Sequence, residues 1–277
     1  MRSLLALSDW PVDHVAAAVL TADGVVGAHG DTARVYELAS VTKLLVAQAV
    51  LVAVEEGAVD LNTAAGPPGA TLAHLLSHAS GIAFDTRDAV AGVAEQRIYS
   101  SAGFEVLAEL VEGEAGIAFD DYLREAVCEP LGMSSTELAG SAGHGARSSV
   151  DDLAAFAADQ LAPRLVSPEL AAQASTVQFP GLDGFVPGYG KHRPNDWGLG
   201  FEIRGEKSPH WTAPGHSPRT YGHFGQAGTF LWVDPDLRAA AVVLTDRSFG
   251  AWAKPLWSEF NQQLVDELSA APDVGRA

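Results

Sequence analysis

The sequence predicts an α+β fold, an antiparallel β-sheet flanked by helices with an all-helical lobe inserted between its strands. Three observations carry this. Short apolar runs of strand character lie towards both ends of the chain, the middle repeats apolar residues at three-to-four spacing, and a stretch rich in Gly and Pro (176–196) separates the two patterns. The ends would build one mixed lobe from residues 1–60 and 197–277, and 61–196 would form a mostly helical lobe with a long loop. A cleft, a favoured place for ligands, would lie between them. With 277 residues, 47% of them hydrophobic and 19% charged, the chain can bury a substantial core.

In chain order, residues 14–20 (HVAAAVL) and 25–30 (VVGAHG) flank Asp23-Gly24, a strong turn signal, so the chain opens with an antiparallel hairpin. From Val41 to Val54 it is apolar and helix-forming until Gly57 stops it, which places Ser40 at the N-cap and Lys43 in the first turn. Gly66-Pro67-Pro68-Gly69 marks a loop. From Thr71 to about Ala174, TLAHLLSHASG, GFEVLAELVEGEAG, FDDYLREAVCEPLGM and SSVDDLAAFAADQLA each read as helix. Pro130 ends the third, and Ser148 or Ser149 ahead of Asp151-Asp152 starts the fourth. After Trp197 the strand period returns in GLGFEIRG, TFLWVDP and LRAAAVVLTD, the last two joined at Asp234-Pro235-Asp236, and a helix from about Lys254 to Leu268 follows.

Composition excludes several functions. The formal charge of −18, with no basic run to offset it, would repel phosphate backbones and anionic bilayers, so neither nucleic acid nor a membrane is an expected partner. Cys128 is the single cysteine, so no disulfide forms within the chain, and its apolar helical setting predicts a buried thiol. The apolar run after Arg2 is too brief for a signal peptide, and no window approaches the ~18 apolar residues of a membrane span. The expected location is cytoplasmic. Oligomeric state is not legible.

Lys43 is the local anomaly. A cation in the first turn opposes the helix dipole, which favours an acidic residue there by about 0.3–1 kcal/mol. Two readings stand: a nucleophilic Ser40 whose proton goes to Lys43 one turn on, or a serine cap followed by an incidental lysine. The scarcity of lysine, with only Lys191, Lys207 and Lys254 besides, favours the first. His74 and His78 share the i, i+4 spacing of zinc ligands, but Leu75 stands where a metallohydrolase needs glutamate, so no metal or other cofactor is expected. No G-x-S-x-G elbow, P-loop or dinucleotide fingerprint occurs. Tyr99-Ser100-Ser101 reads either as a buried aromatic before a serine cap or as a second base, Tyr99, whose phenolate Lys43 would stabilise. The glycine-dense Tyr221–Gly228 either turns or lets another group approach closely. In the second case His223 can donate to a substrate carbonyl or carboxylate, and a backbone N–H just after Gly225 can face the reacting oxygen. Trp211 and Tyr189 are further candidates to line the cleft.

Together these stretches resemble the serine hydrolase superfamily of class C β-lactamases, penicillin-binding DD-peptidases and related esterases, whose signature is S-x-x-K, Y-x-N and then K-T-G or H-x-G. Ser40-Val41-Thr42-Lys43 matches the first element, Tyr99-Ser100-Ser101 the second at its tyrosine, and His223-Phe224-Gly225 the H-x-G form of the third. Leu75–Gly81 resembles the L-L-x-H-x-S-G segment, Pro130–Met133 the P-L-G-M turn and Trp197–Gly200 the Y-G-L-G strand opening. The resemblance implies a β-lactamase/transpeptidase-like fold. It also implies Ser40 as acylated nucleophile, Lys43 and Tyr99 as proton-transfer pair, the N–H groups of Ser40 and Gln226 as oxyanion hole, and Ser101, His223 and Gly225 against the substrate.

Two departures bear on substrate. Ser101 replaces an asparagine that can both donate and accept, and His223 replaces the lysine usual in β-lactamases, removing a fixed charge that would meet a carboxylate. Members with H-x-G are often similar to esterases, so the expected activity is that of a carboxylesterase-type acyl hydrolase on a small ester or amide. A β-lactamase or DD-peptidase is the first alternative, and a catalytically idle binding module on the same scaffold the second.

Overall fold

The computed structural model describes residues 1–270. A short helix α1 (Arg2–Leu5) leads to the expected hairpin of β1 (Val15–Thr21) and β2 (Gly24–His29), then to β3 (Tyr36–Glu37) and the helix α2 (Thr42–Glu55). The middle supplies α3 (Leu72–Leu76), α4 (Ala102–Ala115), α5 (Phe119–Leu123), α6 (Glu129–Leu131), α7 (Val150–Leu161) and α8 (Pro168–Ala174). Short strands β4 (Glu137–Leu138) and β5 (Ala146–Ser148) pair in the order β3-β5-β4. The long loop carries a hairpin, β6 (Gly184–Val186) and β7 (Gly190–His192), that the Gly/Pro content conceals. Strands β8 (Glu202–Ile203), β9 (Tyr221–Gly225), β10 (Thr229–Asp234) and β11 (Ala239–Thr245) follow, then helix α9 (Ala253–Ala270).

The main sheet is antiparallel in the order β2-β1-β11-β10-β9-β8, so the end of the sequence folds back against its beginning. Strand β11 reads AAAVVLT without alternation because both faces are covered. Ala240, Val242 and Leu244 join one core with α2 and α7, and Ala239, Ala241 and Val243 join another with α1 and α9. Strand β1 divides the same way, Ala16, Ala18 and Leu20 against Ala17 and Val19. On β9 this alternation puts Tyr221 and His223 on the α2 face and Phe224 on the α9 face.

Helix α2 is buried on every side through Ala53, which a helix apolar all round must be. It packs against α4 and α5, and Gly200 at the entry to β8 lets the sheet meet it: a Cβ there would stand 2.1 Å from the Ala47 Cβ. The predicted division at residue 61 is therefore not a packing boundary, since one core joins α2, the helical segment and the sheet. Helix α7, predicted for the helical lobe, lies across β1 and β11, with Ser149 capping it by accepting from Asp152 N–H at 3.2 Å.

Three local expectations change. TLAHLLSHASG forms only the five residues of α3, because His78 turns the chain at φ 57°. His74 then stacks on Phe179 while His78 points inward, so the two do not share a helix face, and among the described residues no His, Cys, Asp or Glu cluster is set to hold a metal. Pro130 does not end its helix, which passes through a π-turn at Arg124–Cys128 into α6, the turn absorbing the missing proline N–H. Cys128 is buried as expected, its thiol pushed up to about 12 by burial. Among the described residues, no helix is long and apolar enough to cross a membrane.

Candidate active site

Ser40 is not an N-cap. It sits within a 3-10 turn, Ala39–Val41, that runs into α2 without a side-chain cap, and Ala39 enters it at φ 46°, a costly conformation for a residue with a Cβ. The hydroxyl is thereby spared from capping and stands half-exposed, while its N–H, in the first turn, has no helical partner. Strand β9 reaches this turn because Gly225 has no side chain: a Cβ there would lie 2.2 Å from the Leu38 carbonyl oxygen and 3.2 Å from the Ala39 Cβ. Thr229 Oγ1 fixes the contact by donating to the Leu38 carbonyl at 2.8 Å. Gln226 follows at the hairpin tip, where its carbonyl accepts from Phe249 N–H and no backbone hydrogen bond occupies its own N–H. The two expected oxyanion donors thus flank one strand edge.

Lys43 is wholly buried. Its Nζ donates to Ser101 Oγ at 3.1 Å and to the Gly143 carbonyl at 2.7 Å, and lies 4.6 Å from the centre of the Tyr99 ring. Burial lowers its pKa to about 7, with Glu105 pulling the other way. Burial thus shifts the group towards the neutral amine, the state a base requires.

Tyr99 is held by the strap 97–101. Arg97 anchors this strap from below, buried, donating to the carbonyls of Ser77 (2.8 Å), Asn195 (2.9 Å), Phe179 (2.9 Å) and Gln178. Ser100, not Ser101, caps α4, accepting from Gly103 N–H at 2.9 Å and donating to the Ala83 carbonyl, and this frees the Ser101 hydroxyl to meet Lys43. Replacing Arg97 with Met would strand four carbonyls. Unfolding in urea should show a loss of roughly 3 kcal/mol, because hydrogen bonds to a charged donor are worth about 1.5–3 kcal/mol each and do not add fully.

Burial raises the Tyr99 phenol well above its ordinary value, with nearby Ser40 drawing it partly back. The group is therefore a protonated phenol at neutral pH, not the standing phenolate of a second base. Ser40 is close enough to be felt, yet the Tyr99 hydroxyl makes no hydrogen bond of ordinary geometry, a looseness common in unliganded sites. Nor does Lys43 donate to Ser40; its two acceptors are on other segments.

His223 completes the group, its ring 5.6 Å from that of Tyr99 and 5.5 Å from Trp197. Its Nδ1 donates to the Phe224 carbonyl at 2.6 Å, which fixes the tautomer and leaves Nε2 as a buried lone pair without a partner. Burial, then the Lys43 charge, lowers its pKa to about 4. The sequence offers His223 as a donor without a fixed charge; the fold spends its Nδ1–H on the Phe224 carbonyl and leaves Nε2 as a neutral acceptor. Tyr99 remains partly exposed beside Phe84, which is 54% exposed and stacks on it at 6.0 Å.

Trp211 and Tyr189 are elsewhere. Both pack in the core between sheet and α9, where Trp211 Nε1 donates to Glu202 at 2.7 Å, because β8 turns Glu202 to the face opposite His223. Glu202 is also bound by Lys207 (3.3 Å) and His210 (3.1 Å), a buried polar knot that sequence reasoning missed and that nothing in the residue spacing announces. Two depressions, one of about 340 Å³ near Gln48 and Asp159 and one of about 390 Å³ near Tyr189 and Lys254, contain none of the reactive groups. Chemistry, not volume, locates the site.

The family model described as Beta-lactamase matches residues 13–264. Among solved structures the chain is similar to a beta-lactamase from Mycobacterium bovis, at 58% identity over 96% of this chain and 99% of that one, with a TM-score of 0.95. Fold alone is shared with the octameric penicillin-binding protein homologue of Pyrococcus abyssi (20% identity, 95% and 75% coverage, TM-score 0.76). The same holds for EstCE1, a hydrolase with promiscuous acyltransferase activity (16% identity, 95% and 96% coverage, TM-score 0.76). No curated protein matches the chain.

Proposed function

The chain belongs to the beta-lactamase family, and from that premise we propose that it is a carboxylesterase-type hydrolase working through an acyl-enzyme on Ser40. The observation that carries this choice is the state of His223: a buried, neutral acceptor stands where the resemblance of His223-Phe224-Gly225 to K-T-G implies a lysine able to meet the carboxylate of a β-lactam or peptide. An uncharged ester is the substrate that such a site least penalises.

Neutral Lys43 takes the Ser40 proton, with the Tyr99 hydroxyl as the intermediate carrier, since Tyr99 is the neighbour common to both. Ser40 Oγ bonds to the substrate carbonyl carbon, and the carbonyl oxygen becomes an anion between the N–H groups of Ser40 and Gln226, a donor pair worth about 2.7–4 kcal/mol per member in such reactions. Collapse expels the alkoxide, which leaves as the alcohol with the proton held by Tyr99 and Lys43. Water then attacks the acyl-enzyme, giving its proton to the same pair and releasing the acid and a protonated Ser40.

A second reading, β-lactamase, is favoured by the 58% identity to the Mycobacterium bovis beta-lactamase. Turnover of a short-chain nitrophenyl ester and of a chromogenic cephalosporin separates the two. Ester hydrolysis lost in Ser40→Ala, with little cephalosporin hydrolysis, is the expected result. Rapid cephalosporin hydrolysis reverses the order of the readings, and no turnover of either with no fluorophosphonate label on Ser40 leaves an idle module.

A further inference from the structure

We propose that Glu105 is a positioning residue for Lys43, acting through Ser141 to hold the Gly143 carbonyl against the amine. The hydrogen bonds form an unbroken path. Lys43 Nζ donates to the Gly143 carbonyl (2.7 Å), Gly143 N–H donates to Ser141 Oγ (3.0 Å), and the Ser141 hydroxyl donates to Glu105 Oε1. The loop Ser141–Gly145 between β4 and β5 is itself tightly wound, with His144 N–H and Gly145 N–H both donating to the Ser141 carbonyl. Its position against the site depends on glycine: a Cβ on Gly143 would lie 2.7 Å from the Ser101 Cβ. Nothing in the sequence motifs marks Ser141 or Glu105, since they lie outside the three signature stretches.

Glu105 stands in the first turn of α4, where the helix dipole favours a carboxylate, and its charge also opposes the loss of the Lys43 proton that burial promotes. The other groups around the amine do not share this role. Tyr99 and Phe104 present ring faces, Ser101 a hydroxyl, and the rings of His78 and His223 are buried and neutral. Glu105 thus does two separable things, fixing the loop that receives one Lys43 hydrogen bond and setting the pH at which that amine becomes a base.

The inference rests on the acyl-hydrolase reading for its kinetic arm only. Glu105→Gln keeps an oxygen that can accept from Ser141 and removes the charge; Ser141→Ala keeps the charge and removes the link. In protein labelled with ¹³C-lysine, the four lysines give few signals and Lys43→Met assigns one of them. Glu105→Gln should move the Lys43 titration, and the acid limb of ester turnover, to lower pH with the plateau kcat near wild type. Ser141→Ala should leave the limb in place and lower the plateau about tenfold, the size of one modest positioning contact, with KM little changed. A Lys43 midpoint unmoved in Glu105→Gln, or a wild-type plateau in Ser141→Ala, overturns the proposal. Absence of ester turnover in the wild type would sink the functional reading instead, while the lysine titration would still decide the role of the Glu105 charge.

Discussion

Replacing Lys43 with Met should lower kcat for ester hydrolysis about 10²–10⁴-fold, the range for loss of a general base, with KM little altered. Methionine is the chosen replacement because Lys43 is wholly buried and the unbranched thioether follows the path of the lysine stem, while the Ser101 hydroxyl and the Gly143 carbonyl lose the hydrogen bonds from the amine. The variant also reports on the amine through stability. Burial lowers the pKa of folded Lys43 to about 7 from its ordinary 10.5, so between these values the unfolded chain binds more protons than the folded one. Wild-type stability should therefore rise with pH across that window, with the full cost of the buried charge present below about pH 7, and Lys43→Met should lose this component of the slope. Activity in the wild type should rise through the same midpoint. His223 adds no limb there, being neutral well above its value of about 4. Urea unfolding and kcat measured from about pH 6 to 9 test both statements. A variant that retains activity would remove Lys43 from the mechanism.

The second large effect is expected from Gly225→Ala. The added methyl would stand 2.2 Å from the Leu38 carbonyl oxygen and 2.5 Å from Thr229 Oγ1, and backbone on that side cannot yield without moving the turn that carries Ser40. Pushing β9 away separates the Gln226 N–H from that of Ser40. Loss of one oxyanion donor costs about 10²–10³ in kcat. Overpacking should also cost roughly 1–3 kcal/mol of stability, read from the urea midpoint. Unchanged kcat with lowered stability would show that the glycine serves packing alone.

The parts of the fold legible in the sequence are those whose local signals agree with their surroundings. Asp23-Gly24 and the β10–β11 connection name their own turns, and α4 and α7 carry a one-sided apolar stripe with a serine start. The candidate site is legible at Lys43 because a cation at that position contradicts the helix dipole, and a local contradiction of this kind points to a functional or strained position. What the sequence hides depends on partners distant along the chain. Ser40 looks like a cap, and only the approach of Gly225 to Leu38 and Ala39 shows why its hydroxyl is free. His223 looks like a donor to substrate until the Phe224 carbonyl accepts the hydrogen bond from its Nδ1–H. Trp211 looks like a cleft aromatic because loop aromatics carry no sign of the sheet face they will occupy. The link from Glu105 to Lys43 joins residues whose spacing follows no periodicity.

The central claim is that Ser40 becomes acylated when the buried amine behind it is neutral, and an acid-quenched reaction followed by mass spectrometry addresses it most directly. With excess nitrophenyl ester at about pH 8, a first-turnover sample should carry one acyl group on the peptide containing Ser40, and the adduct should form far more slowly at about pH 5.5, either side of the Lys43 value of about 7. An adduct on another residue, no adduct under single-turnover conditions, or equal rates at the two pH values would contradict the account.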